Sequence, residues 1–179
     1  MIISSLFLFL NEVNEMIEKI GTLTLGPTVF VSDPSYSLNV WCTGTLTNML
    51  PGTYHAMADI VDEGDWGERV ASLTIIHENY LNKVFKFNDI DNVTIGVDSG
   101  CAGFFDLNEF SKVKSTEEER KKFFDLCYNA TMQKNGDIIR GWGVVSMAGF
   151  GDGAYSLKIA FSEDVKNIIA ASIDFIEIE

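Results

Sequence analysis

Residues 93–106 read VTIGVDSGCAGFFD, and this stretch decides the fold class. Residues 93–97 and 102–105 are apolar runs of strand length, and Asp98, Ser99 and Gly100 form a corner between them. Short apolar runs broken by Gly and Asp turns are the pattern of antiparallel β-structure. The same pattern extends in both directions. Upstream lie 20–25, which alternates apolar with small polar residues, and 29–31 after Gly26-Pro27. A hairpin is predicted to join 53–61 to 69–77 through the acidic loop Asp62-Glu63-Gly64-Asp65. Downstream, 143–147, 155–161 and 168–178 complete the set. In the last of these, Ile173, Phe175 and Glu177 lie on one side of the alternation and cannot all face a core, so fraying or a bulge is expected near its end.

One helix is expected, over about 115–130. Ser115 reads as its N-cap and Glu118 as the partner in a capping box. Glu117, Glu118 and Glu119 suit the positive end of the helix dipole. Phe123, Leu126, Cys127 and Ala130 form the stripe that buries against a sheet. Arg120, Lys121 and Lys122 read as a solvated turn. The expected architecture is mainly β, a sandwich or rolled barrel of short antiparallel strands with one packing helix.

The chain has 179 residues, of which 46% are apolar and 12% aromatic, enough to bury a core and to exclude wholesale disorder. Thirteen Lys and Arg oppose 26 Asp and Glu, a net charge of −13. Such a charge argues against a nucleic-acid polymer or an anionic membrane surface as partner, because both need clustered cations. A small molecule, a cation or another protein remains, and a homo-oligomer stays open. Cys42, Cys101 and Cys127 are scattered and odd in number, with no CxxC. That fits reduced thiols in a cytoplasmic protein and argues against a structural zinc. Residues 1–15 read as a dispensable extension of a single domain, 16–179, with Met16 as a second start. Their apolar run, 6–10, is too short to cross a bilayer and lacks the basic start and cleavage site of a signal peptide.

Three segments carry candidate chemistry. Asp98 and Asp106 bracket the glycine-rich corner, Asp152 sits in GFGDGAY (149–155), and Asp33 ends a strand before Pro34 in SDPSY. If these strand ends converge, Asp33, Asp98, Asp106 and Asp152 form a hard-oxygen site for magnesium or calcium. The alternative is that each carboxylate caps its own turn by bonding to nearby amides. Arginine occurs only at 69, 120 and 140, and two of the three flank Trp-Gly pairs, WGER (66–69) and RGWG (140–143). A guanidinium beside an indole offers a fork for an anion and a face for a ring, which suits a nucleotide. Alternatively Arg69 neutralises Asp62, Glu63 and Asp65.

Other classes lose their usual signatures. Asp98-Ser99-Gly100 imitates the aspartic-peptidase triplet, but a single copy demands a homodimer and no convincing flap element accompanies it. His55 and His77 sit at strand positions and read as structural. No GxSxG, P-loop or HExxH is present.

In order along the chain, SDPSY, Trp41-Cys42, PGTYHA, WGERVASL, IGVDSGCAGFFD and VVSMAGFGDGAY resemble an uncharacterised domain-of-unknown-function family of bacteria and their phages. The resemblance covers roughly residues 20–178. It implies one β-rich domain and supplies no established activity. It marks Asp33, Arg69, Asp98, Gly100, Asp106, Asp152, Gly153 and Tyr155 as the positions carrying the pattern, with Cys101 and Met147 as departures.

The leading expectation is a non-catalytic protein that binds a small, nucleotide-type ligand. Its site draws on Asp33, Tyr36, Arg69, Asp98, Ser99, Gly100, Arg140, Trp142, Asp152, Gly153 and Tyr155. The aspartates would hold ribose hydroxyls or a cation, the arginines phosphate, and tryptophan a base. In a phage-borne gene, such a site would sequester a host nucleotide signal. Two alternatives stand beside it. One is a metal-dependent phosphoester hydrolase in which the four aspartates bind divalent ions that activate water. The other is an interaction module that pairs its strand edges with a partner.

Overall fold

The computed structural model describes residues 15–177. It is a β-sandwich of two antiparallel sheets, neither closed into a barrel, with helices on one outer face. In chain order the strands are β1 (Glu15–Leu25), β2 (Thr28–Ser32), β3 (Gly44–Thr47), β4 (Gly52–Asp62), β5 (Glu68–His77), β6 (Asn88–Val97) and β7 (Cys101–Asp106). Helices α1 (Leu107–Val113) and α2 (Glu117–Gln133) follow, then β8 (Gly136–Ile139), β9 (Gly143–Met147), β10 (Gly153–Phe161) and β11 (Ile168–Asp174). One sheet has the order β1-β4-β5-β11-β10-β6, the other β3-β2-β7-β9-β8.

The main core lies between the sheets. Alternation along β4 turns Ala56, Ala58 and Ile60 inward, where they meet Val29 and Val31 of β2, Phe104 of β7 and Leu157 of β10. A second core fills the other side of the smaller sheet, where Phe30, Phe105 and Val145 pack on Phe110 of α1 and on Phe123 and Cys127 of α2. Because β7 is covered on both faces, CAGFFD is apolar without alternation, as a doubly buried strand must be.

The predicted hairpin forms with Asp62 opposite Glu68, and a 3-10 turn over Gly64–Trp66 closes it. The final strand ends at Asp174, where the N–H groups of Phe175 and Ile176 both donate to the Ala71 carbonyl. The ladder is thus irregular where it was expected to be.

The helical region departs from expectation. Among the described residues there are two α-helices, because the Asp106 carboxylate caps a first one by accepting from Asn108 and Glu109 N–H at 3.0 and 3.1 Å. The second is capped by Thr116, whose hydroxyl accepts from Glu119 N–H, while Ser115 donates its hydroxyl to the Lys112 carbonyl. Leu126 is exposed, and the buried stripe of α2 is Phe123, Cys127 and Thr131. Strands β3 and β8, of four residues each, are too short to stand out in the sequence. The extension assigned to 1–15 falls, but for the backbone of Glu15, outside the described residues. No described helix is long and apolar enough to cross a membrane.

Candidate functional site

Asp33 organises one end of the sandwich. It follows β2 and is wholly buried. Its Oδ1 accepts from Ser35 N–H at 2.7 Å and from the Ser99 hydroxyl at 2.8 Å. Its Oδ2 accepts from Asp98 N–H at 2.8 Å and Ser99 N–H at 2.7 Å. The carboxylate therefore clasps the corner after β6 to the turn after β2, across 65 residues of sequence. With both oxygens doubly engaged and closed off from solvent, it holds the site together and meets no ligand.

The clasp leaves the Asp98 carboxylate facing outward, where the Tyr36 hydroxyl donates to its Oδ2 at 2.6 Å. Burial first, and then the hydrogen bond to Asp98, hold that phenol protonated well above the ordinary tyrosine range. Beside this pair opens a cleft of about 330 Å3, lined by Tyr36, Trp41, Cys42, Gly96, Asp98 and Gly153 among others. One wall is the loop after Tyr36, tied down by Gly96 N–H donating to the Cys42 carbonyl at 2.8 Å. Glycine is required at 96, since a Cβ there would lie 2.5 Å from Cys42 Sγ. At the mouth stands Trp41, 88% exposed.

Lys114 braces the same loop from beneath. It is buried, its ammonium donates to the Pro34 carbonyl, and it lies over the rings of Phe110 and Phe123 at 4.9 and 5.3 Å. Burial lowers it to about 8. Behind the corner, Cys101 Sγ sits 3.2 Å from Ser99 Oγ, and burial pushes its thiol up to about 11.

The other expected residues divide between the two ends. Gly153 pairs with Val97 as the last rung between β10 and β6, so Asp152 precedes β10 at the end of the sheet where Asp98 follows β6. Tyr155 holds the 149–153 loop by donating to the Gly151 and Ala148 carbonyls at 2.7 and 3.2 Å. Gly100, at φ +75°, provides the turn of the corner. Arg69 lies on this rim but outside the cleft, its guanidinium 6.0 Å from the exposed Phe150 ring, which also meets Trp66 edge-on.

Asp106, Arg140 and Trp142 sit at the opposite end of β7. There Asp106 accepts from Gly26 N–H at 2.8 Å in addition to capping α1. Arg140 and Gly141 are the two positive-φ residues of the tight β8–β9 turn, and the Trp142 indole stacks on Phe123 at 5.6 Å. One pocket using both arginines and Trp142 is therefore not formed. Nor do the four aspartates make a metal site: Asp33 is consumed by the clasp and Asp106 is remote. Among the described residues no three His, Cys, Asp or Glu side chains are placed to hold an ion. His77 is structural, its Nδ1 accepting from Asn79 N–H while its ring meets Tyr54 edge-on.

Two residues of this end were not singled out as site residues, Trp41 and Lys114. Trp41 had a signal, an indole in a polar loop five residues after Tyr36. Lys114 had none, since its burial depends on how α1 lies against α2. Comparisons with protein-family models, with curated proteins and with solved structures return no match to this chain.

Proposed function

We propose that the chain is a small-ligand-binding protein and that the Trp41 cleft receives the heterocycle and sugar of a nucleoside-type molecule. The supporting observation is the exposed indole at the mouth of a cleft whose floor carries an outward carboxylate. An exposed indole offers its face to a base, and such stacking contributes about 1–3 kcal/mol per base. The Asp98 carboxylate, fixed by Tyr36, accepts hydroxyl protons of a ribose. No Lys or Arg lines this cleft, so phosphate adds no attraction there and meets the Asp98 charge.

The test is a thermal-shift and tryptophan-fluorescence titration with the four ribonucleosides and their mono-, di- and cyclic phosphates. At least one nucleoside stabilises the protein, binds no more weakly than its phosphorylated forms, and loses tenfold or more in affinity in Trp41→Ala. Absence of any shift at millimolar concentrations removes this reading. Stabilisation that depends on phosphate relocates the site towards Arg69.

A further inference from the structure

A second concavity, independent of the Trp41 cleft, crosses the outer face of the six-stranded sheet. Strand register produces it. Asp59, Ser72, Asp174 and Ser156 stand in one cross-strand row on β4, β5, β11 and β10. Thr74, Ser172 and Lys158 form the next row, with Asp89 of β6 at its end. The following row, Ile76, Ala170 and Ala160, is apolar and is covered by Tyr80, Phe85 and Phe87. Of that cover, Phe87 makes one wall of the trough. Phe175 and Ile176, anchored on the Ala71 carbonyl, make another beside Tyr155. Between the walls lies about 750 Å3 over a floor of short hydroxyl side chains. Ser72 and Ser172 are only 8% and 5% exposed although they face outward.

The floor's hydrogen-bond chemistry selects the ligand. Ser72 spends its proton on Asp59 at 2.6 Å, Thr74 on Ser172 at 3.0 Å, and Ser172 on Asp174 at 2.9 Å. What faces the trough is a set of fixed acceptors with the Lys158 ammonium, 2.5 Å from Asp174, as a donor among them. Anions are opposed by the carboxylates, and an apolar ligand would strand the hydroxyls without solvent. A polycation is drawn by Asp59, Asp89, Asp174 and Glu177 but meets the Lys158 ammonium in mid-floor. A ligand carrying many neutral hydroxyls and flat C–H faces satisfies both the acceptors and the aromatic walls. We propose that this trough binds a carbohydrate, from a monosaccharide to a short oligomer.

Saturation-transfer NMR on the whole chain tests the proposal, using glucose, galactose, N-acetylglucosamine and their β-linked disaccharides at millimolar concentration. At least one sugar shows transfer to its ring protons, and adenosine, the probe for the Trp41 cleft, does not compete. Ser156→Trp, at an exposed position of the floor, fills the trough and weakens sugar binding tenfold or more. Asp59→Asn, which removes an acceptor charge without adding bulk, gives a loss in the same direction and serves if the tryptophan variant fails to fold. The proposal is overturned if no sugar shows transfer, if binding survives in the folded variants, or if spermidine binds and sugars do not. None of these outcomes bears on the nucleoside reading, whose probe and variant are separate.

Discussion

Asp33 shows how one side chain can build a site without entering it. Its four donors come from Ser35, Asp98 and Ser99, so removing its charge leaves buried amides facing a partner that also donates. Asp33→Asn is expected to cost about 2–4 kcal/mol in urea denaturation, since a deprived buried group loses its full compensation. On the proposed nucleoside reading, the same variant frees the corner and weakens nucleoside binding in the fluorescence titration further than Tyr36→Phe does. Lys114 yields a pH-dependent counterpart. Its folded value near 8 lies below the ordinary 10.5, so between those values the unfolded chain holds more protons and stability rises with pH. The full effect is about 3 kcal/mol. Cys101 acts oppositely, because its thiol is raised from 9.0 to about 11 and stability falls across that window. Comparison with Lys114→Met isolates the lysine: the stability of the parent relative to the variant increases from pH 8 to 10.5. A flat difference would show the ammonium to be better solvated than its burial implies.

At the scale of elements, the cap of α2 offers a clean discrimination. Thr116→Ala removes the hydroxyl that receives Glu119 N–H and costs about 1 kcal/mol, whereas Ser115→Ala changes the thermal midpoint little. Adjacent capping residues explain why the sequence pointed one position early: both Ser115 and Thr116 have a glutamate three places on. The long strands were legible because β4 alternates cleanly and β5 is a long, largely apolar run set off by the acidic turn before it, and the doubly buried β7 because its apolar run is bounded by Asp and Gly. Helix α1 was not, since Asp106 reads equally as a strand end, a ligand or a cap, and only Gly26 and Asn108 beside it settle which. For the candidate site, the meeting of SDPSY with VDSG was legible as two aspartate-bearing strand ends. Which carboxylate turned inward was not, because that depends on the packing of β2 against β7.

Over the whole molecule, a net charge of −13 acts against compaction, and self-repulsion is relieved by counterions. Thermal unfolding is expected to shift upward as sodium chloride is added from low ionic strength, and a downward shift would point to attractive pairs dominating instead. Topology has a further effect. Strand β11 sits between β5 and β10, so the larger sheet is divided until its final strand is inserted. On the ribosome, the β1-β4-β5 part of the sheet therefore waits with the β5 edge unsatisfied while the 90 residues between His77 and Ile168 are being added. Nascent chains arrested before Ile168 should recruit chaperones or aggregate, and those released after Asp174 should become protease-resistant in one late step.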